Sequence, residues 1–283
     1  MNVIRRALPI AILLSAVAAP GGAQTLVAPT IMTMSDRDRF GTFMVDNRSE
    51  EPQEVTISFK FGYSTSDETG RRTFVYDDSV SAAALGLHGR IRAFPRRFVL
   101  APGARQIVRM SARPPVDAPD GVYWARVVTA SQPQSAAVEQ QVAEGVTTRV
   151  VFRLEQVTTV LYQKGEVATG LEPGPLKAQM ERDSVTVTLP LRRTGNAPFF
   201  GRARLLVIPD VTEAGLEPSP EREDELLFEV FFDRVIRFDV PLEGLPSGHY
   251  RVRIVLSPDR PDVPPQDRVL IDPLEIEAPF SVP

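Results

Sequence analysis

Few side chains in this sequence could carry out covalent or metal-ion chemistry. The 283 residues include two histidines, His88 and His249, and no cysteine. Without cysteine there is no thiol nucleophile and no thiolate ligand for zinc. Two histidines leave little material for a histidine metal site or a catalytic triad. The composition therefore favours a protein that binds a partner over one that catalyses a reaction.

The densest group of ionisable side chains is an acidic run at residues 221–225, which holds four carboxylates in five residues. The run lacks the regular spacing and the central glycine of a calcium loop, so we predict a solvated loop and no metal site. The sequence also lacks a nucleophile elbow, a P-loop and a dinucleotide fingerprint. We therefore predict that the protein is not an enzyme and has no cofactor.

Residues 1–23 have the pattern of a secretory signal peptide. Arg5 and Arg6 precede an apolar run at 7–17, and small residues follow at 18–23. No later stretch approaches the ~18 apolar residues of a membrane span, so we expect no membrane insertion after cleavage. The net charge is −4 and there is no basic block, which argues against nucleic acid as the partner.

The chain pattern is typical of short strands and turns. Proline makes up about 9% of the residues (26 of 283), roughly twice the usual ~5%, which argues against long helices. The clearest strand lies at 54–64, where period 2 places every second side chain on one face. The apolar members of that face are Val55, Ile57, Phe59, Phe61 and Tyr63.

The pattern predicts an all-β fold of two tandem immunoglobulin-like β-sandwich domains. The first covers 24–164, a linker rich in glycine and proline covers 165–175, and the second covers 176–283. The alternative is one larger sandwich with a long insertion. Pro190, inside an alternating stretch of the second block, is expected at an edge or a strand end.

A short motif occurs once in each block. The segments that start at Pro119 and Pro246 both read P-x-G-x-Y-x-x-R-[VI]-V, with Tyr123 and Tyr250 at the shared aromatic position. A tyrosine at the start of such a strand can pack its ring in the core while its hydroxyl bonds to backbone. The repeat supports two sandwiches of related design, and the spacing around Trp124 predicts a core position for that side chain.

The segment 93–109 resembles the periplasmic pilus chaperones. It has their proline, short strand, Pro-Gly turn and a following strand that ends in an apolar–Val–Arg step, here Ile107, Val108 and Arg109. An acidic turn and aromatic strand follow at 120–127. The stretch 147–162 is similar to the last strand of their first domain and ends in Leu161 and Tyr162. The resemblance covers about 26–167.

The resemblance implies a periplasmic chaperone of a Gram-negative bacterium that binds pilin-like assembly subunits by lending them a strand. The partners would be these protein subunits and an outer-membrane usher. Alternate apolar side chains of the donated strand fill the open groove of the subunit. By this resemblance the donor residues are Val150, Phe152 and Leu154.

One part of the family pattern is missing from this chain. The family anchors the C-terminal carboxylate of the subunit with two basic residues. In this chain the matching positions are the segment 28–30, which has no basic residue, and Thr159. Arg153 and Lys164 are candidates to replace them, together with the Thr159 hydroxyl. The alternative function is a non-catalytic immunoglobulin-like structural or adhesion module of the cell envelope, in which the donor residues face the core of their own domain.

Overall fold

The computed structural model of the protein describes residues 25–134, 152–210, 218–269 and 271–283, so the predicted signal peptide lies outside it. Along the first part of the chain the elements are β1 (Thr25–Ala28), β2 (Ile31–Ser35), β3 (Phe40–Asn47), β4 (Gln53–Lys60), β5 (Tyr63–Ser66), β6 (Arg72–Val75), α1 (Ser79–Leu85), β7 (Ile91–Phe94), β8 (Arg97–Leu100), β9 (Arg105–Ala112), β10 (Gly121–Pro133) and β11 (Leu154–Lys164). The later part adds β12 (Thr169–Pro173), β13 (Lys177–Met180), β14 (Ser184–Gly195), β15 (Phe199–Pro209), β16 (Arg222–Val230), β17 (Asp233–Pro241), β18 (Gly248–Ser257) and β19 (Leu274–Val282).

The first sandwich consists of two sheets, in the orders β1-β3-β9-β7 and β2-β11-β10-β4-β8. All strand pairs in them are antiparallel except that of β2 and β11. Every second side chain points inward, so apolar residues from both sheets meet in one core. Val45 and Val108 of the first sheet and Ile57 and Val127 of the second are fully buried there.

The second sandwich repeats this design. In one sheet β14 pairs with β12, β13 and β17, and the other sheet has the order β16-β15-β18-β19. The strand β12 lies inside the segment 165–175 that was predicted as a linker, so only a few residues separate β11 from the second sandwich. Pro190 lies inside β14, away from the ends of the strand, and β14 is not an edge strand. It is tolerated because the strand beside it is broken, with β12 ending at Pro173 and β13 starting at Lys177.

The predicted all-β class with two tandem immunoglobulin-like sandwiches is confirmed. Both repeated tyrosines also take the predicted role at the start of their strands. The Tyr123 hydroxyl donates to the Pro119 carbonyl oxygen at 2.6 Å, and the Tyr250 hydroxyl donates to that of Pro246 at 2.8 Å. Both rings are buried, so each tyrosine ties a turn to a core. No helix among the residues that the structure describes is long and apolar enough to cross a membrane.

The predicted alternating strand at 54–64 ends early. Val55, Ile57 and Phe59 pack in or against the first core, but the chain leaves the sheet after Lys60 and forms the hairpin β5–β6. Phe61 and Tyr63 then contact a separate cluster between the sandwiches. Polar and apolar positions alternate as predicted. However, the first three apolar side chains face the core of the first sandwich, and the last two face the cluster between the sandwiches.

The acidic run at 221–225 belongs mostly to the edge strand β16 and not to a solvated loop. Across the β15–β16 pair, Arg202 contacts Glu225 at 3.1 Å and Arg204 contacts Glu223 at 3.5 Å. The arginines offset the like charges of the run, so the segment can pair as a strand. Charged side chains on an edge strand also disfavour pairing with another chain.

Candidate functional site

One edge of β11 is partly open. On one side β10 pairs with β11 along its whole length, from Lys164 to Leu154. On the other side β2 pairs only with residues 159–163, and the Thr159 amide adds a bond to the Thr30 carbonyl at 2.9 Å. Among the described residues no strand pairs with 154–158 on that side. As far as the structure describes the chain, the backbone groups on this side of 154–158 have no strand partner and could pair with another chain.

Two of the three predicted donor residues lie at the start of this open edge, and the third, Val150, is outside the described residues. Phe152 lies two residues before β11 begins and is 75% exposed, and Leu154, the first residue of β11, is half-buried. Neither of these two side chains belongs to the hydrophobic core of the first sandwich. Apolar side chains at every second position beside an unpaired edge have the geometry needed to fill the groove of another sheet.

The three polar cleft candidates do not lie together. Arg153 is exposed and contacts Glu155 at 3.2 Å near the beginning of β11. Lys164 is at the opposite end of the strand and donates to the Ala118 carbonyl. Thr159 is buried in the middle of the strand, opposite Arg126 of β10. The structure thus separates these residues along the strand and does not form one anion site from them.

A basic residue that was not among the predicted cleft residues lies beside Thr159. Arg126 of β10 is directly opposite Thr159, and its Nη1 donates to the Thr159 hydroxyl at 2.5 Å. Its Nε donates to the Gly62 carbonyl at 3.0 Å, while its buried Nη2 has no hydrogen-bond partner among the described residues. The available signal was its position two residues after Trp124, which places both side chains on one face.

Arg126 is closed off from solvent in this structure. It is only 6% exposed, and its guanidinium lies 4.9 Å from the centre of the Phe231 ring of the second sandwich. Burial lowers the pKa of Arg126, whereas the negative charge of Glu229 raises it, and the net direction is downward. Nη2 is therefore out of reach of a carboxylate from solvent in this structure.

The cleft between the sandwiches is filled by aromatic side chains. Trp124 is buried as predicted, but it packs between the two domains rather than in the core of the first. Its ring centre lies 5.3 Å from that of Phe61 and 5.0 Å from that of Phe231, and its Nε1 donates to the Gly62 carbonyl at 3.1 Å. The sequence spacing could show only that Trp124 is buried, since the covering surface comes from a distant segment.

A buried ion cluster lies next to this aromatic contact. Glu229 of β16 is 4% exposed and accepts a hydrogen bond from Ser64 of β5. Its carboxylate contacts Arg234 at 3.6 Å and Arg260 at 3.2 Å, and Arg72 of β6 binds it from the first domain. The hairpin is tied to the second sandwich by these contacts.

The ionisation of Glu229 follows from these neighbours. Burial alone would raise the pKa of the Glu229 carboxyl, but Arg234, Arg72 and the Ser64 hydrogen bond outweigh it and lower the pKa. Glu229 is therefore a charged acceptor that joins two domains. Within the described ranges, no group of three histidine, aspartate or glutamate side chains is placed to hold a metal ion.

Comparison with known proteins adds matches among solved structures only. No family model matches the sequence, and no curated protein matches it. The Pseudomonas aeruginosa CupB2 chaperone matches with 10% identity and a TM-score of 0.44, over 89% of this chain and 98% of that chain.

Two matched structures contain a chaperone together with a subunit. The CsuC–CsuE chaperone–tip adhesion subunit complex of Acinetobacter baumannii matches with 11% identity and a TM-score of 0.43, over 90% of this chain and 98% of that chain. The Salmonella enterica SafB chaperone in complex with the SafA pilin matches with 12% identity and a TM-score of 0.42, over 91% and 98%.

Proposed function

We propose that the protein is a periplasmic molecular chaperone that binds pilin-like assembly subunits by lending them the strand around 150–158. The observation that supports this most directly is the open edge of β11, where no strand of the described ranges pairs with 154–158 on one side and Phe152 is 75% exposed. In this proposal the protein acts by binding and not by catalysis. It would deliver its subunit to an outer-membrane usher.

The physical basis is the completion of an unfinished sheet. Backbone N–H and C=O groups of 154–158 would pair with an edge strand of the subunit, which supplies affinity independent of sequence. Phe152 and Leu154, with Val150, would enter its groove, and burial of each large apolar side chain contributes about 1.5–3 kcal/mol. The chaperone would thereby cover a strand edge and an apolar surface that otherwise aggregate.

The donor residues are tested by a change of charge. The double variant Phe152→Asp, Leu154→Asp is co-expressed with a subunit encoded beside the chaperone gene, and the soluble complex is purified from the periplasm. We expect at least about a 100-fold loss of complex, because two carboxylates would have to enter an apolar groove. The matched control is Ile107→Asp, which places a charge at an exposed apolar position on the opposite sheet of the same domain.

Measurement of folding separates the chaperone from a structural module. If Phe152 is exposed for binding, Phe152→Asp should change the free energy of unfolding of the isolated protein by less than about 0.5 kcal/mol. Loss of complex together with unchanged stability supports strand donation. A full yield of complex with the double variant contradicts it, and unfolding of the isolated protein would favour an envelope module that uses these residues in its own core.

A further inference from the structure

A second surface lies on the outward face of the sheet β1-β3-β9-β7, away from the open edge of β11. Residues directly opposite each other on antiparallel strands share a face. The register therefore places two rows side by side at one end of this face: Thr42, Arg109 and Phe94, and then Phe40, Ser111 and Arg92. Phe40 is 71% exposed and Phe94 is 78% exposed.

This end of the face is basic. Cavities of about 590 and 650 Å³ flank Phe40, and no acidic residue lines either of them. Their lining includes five exposed arginines, and none of the five has a carboxylate within ion-pair distance in the part of the chain that is described: Arg39, Arg90, Arg92, Arg109 and Arg113. We call these five arginines with Phe40 and Phe94 the basic–aromatic face.

The charge of this face differs from that of the rest of the molecule. The chain as a whole has a net charge of −4. Several exposed arginines elsewhere are paired, as Arg204 is with Glu223 and Arg192 is with Glu172. The other exposed arginines without an ion pair in the described residues, such as Arg71 and Arg182, are scattered along the chain and line neither of these two cavities. Unpaired arginines concentrated at one place on an acidic protein produce a positive potential that attracts an anionic surface.

We propose that the basic–aromatic face binds the surface of a membrane that contains anionic lipids. Phe40 and Phe94 line the same cavity of about 650 Å³, and Arg92 and Arg109 line it with them, so two exposed rings lie among cations. This arrangement suits a lipid surface: the rings enter the boundary between head groups and acyl chains, and the arginines meet the phosphates.

The test is sedimentation of the exported protein with lipid vesicles, after its amino terminus has been checked by mass. Vesicles of phosphatidylcholine alone are compared with vesicles of equal parts phosphatidylcholine and phosphatidylglycerol, at low and at high salt. We expect binding only to the anionic vesicles and release by salt. The variant Arg92→Gln, Arg109→Gln should bind about 30-fold more weakly, since each arginine near such a surface contributes about 5-fold.

Two further variants make the result specific. Phe40→Ser, Phe94→Ser should weaken binding while the salt dependence remains, because the arginines are kept. Arg192→Gln, Arg204→Gln removes the same charge from paired positions and should bind as the unchanged protein does. Equal binding to neutral and anionic vesicles, no binding to either, or equal losses for both arginine pairs would overturn the proposal, and the absence of vesicle binding would point to an acidic protein partner.

Discussion

Replacement of Glu229 by glutamine should loosen the contact between the two sandwiches. Glu229 is the carboxylate that Arg72 from the first domain shares with Arg234 and Arg260 from the second. Glutamine has nearly the same shape and can still accept the hydrogen bond from Ser64. The substitution therefore removes the charge with little change in packing, and it leaves the buried Arg234 without its counter-charge.

The size of the effect follows from how each arginine is placed. Removal of one partner of a buried ion pair costs about 3–5 kcal/mol, because the remaining charge stays desolvated. Arg234 fits this case, since its side chain is 5% exposed. Arg72 is half-exposed and can be solvated, and Arg260 keeps Asp262 at 2.6 Å. We therefore expect the low end of the range, about 3 kcal/mol.

The assay is urea denaturation followed by the fluorescence of Trp124, the only tryptophan of the chain and a member of the cluster between the domains. Glu225→Gln is the matched control on the same strand, because its exposed pair with Arg202 should contribute less than about 0.5 kcal/mol. The expectation is refuted if the free energy of unfolding of Glu229→Gln lies within about 0.5 kcal/mol of that of the unchanged protein. This limit is the typical size of the effect of a surface substitution.

Three further predictions follow from the same contacts. The pKa of Glu229 is lowered in the folded protein, so the stabilisation by its charge is complete above the ordinary carboxyl pKa of about 4.3 and is lost as the pH falls through the lowered pKa. An acid titration of the unfolding midpoint should show this loss. A loss of equal size in Glu229→Gln would contradict the prediction. Tyr123→Phe and Tyr250→Phe should each lower the free energy of unfolding by about 1 kcal/mol in urea titrations, because each removes a hydrogen bond from the hydroxyl to a turn carbonyl. Unchanged values for both variants would show that the hydroxyls do not stabilise the turns. Gly62→Ala should cost about 1–3 kcal/mol in the same titrations, since the new Cβ would meet the Tyr76 ring and lie 2.9 Å from the Val75 carbonyl oxygen. A neutral effect would mean that the hairpin moves freely.

Much of the fold could be predicted because strands carry a local pattern. The alternation at Val55, Ile57 and Phe59 indicated a half-buried strand, and these side chains do face the first core. The repeated tyrosine motif indicated a turn joined to a buried ring, and both hydroxyls make the expected bond. Such features depend on residues that are near one another along the chain.

The candidate site was predictable only in part. Phe152 and Leu154 could be proposed from their alternation and from the resemblance, but the open edge beside them depends on how far β2 extends along β11. The two basic residues predicted for the cleft, Arg153 and Lys164, lie near opposite ends of the strand. Arg126 takes the position beside Thr159 because two strands pair in a register that the sequence does not state.

By itself the sequence determined the class of the protein: an all-β chain, without cysteine and with two histidines, in two blocks of alternating strands. The tertiary structure decided which surface covers each apolar face and which distant charges meet. Phe61 and Trp124 are apolar in any fold, yet they lie between the domains because Phe231 packs against them. Ser64 and Glu229 are 165 residues apart and meet because the hairpin crosses to the second sandwich. Alternation is a property of neighbouring residues, whereas burial against another domain depends on the packing of the whole chain.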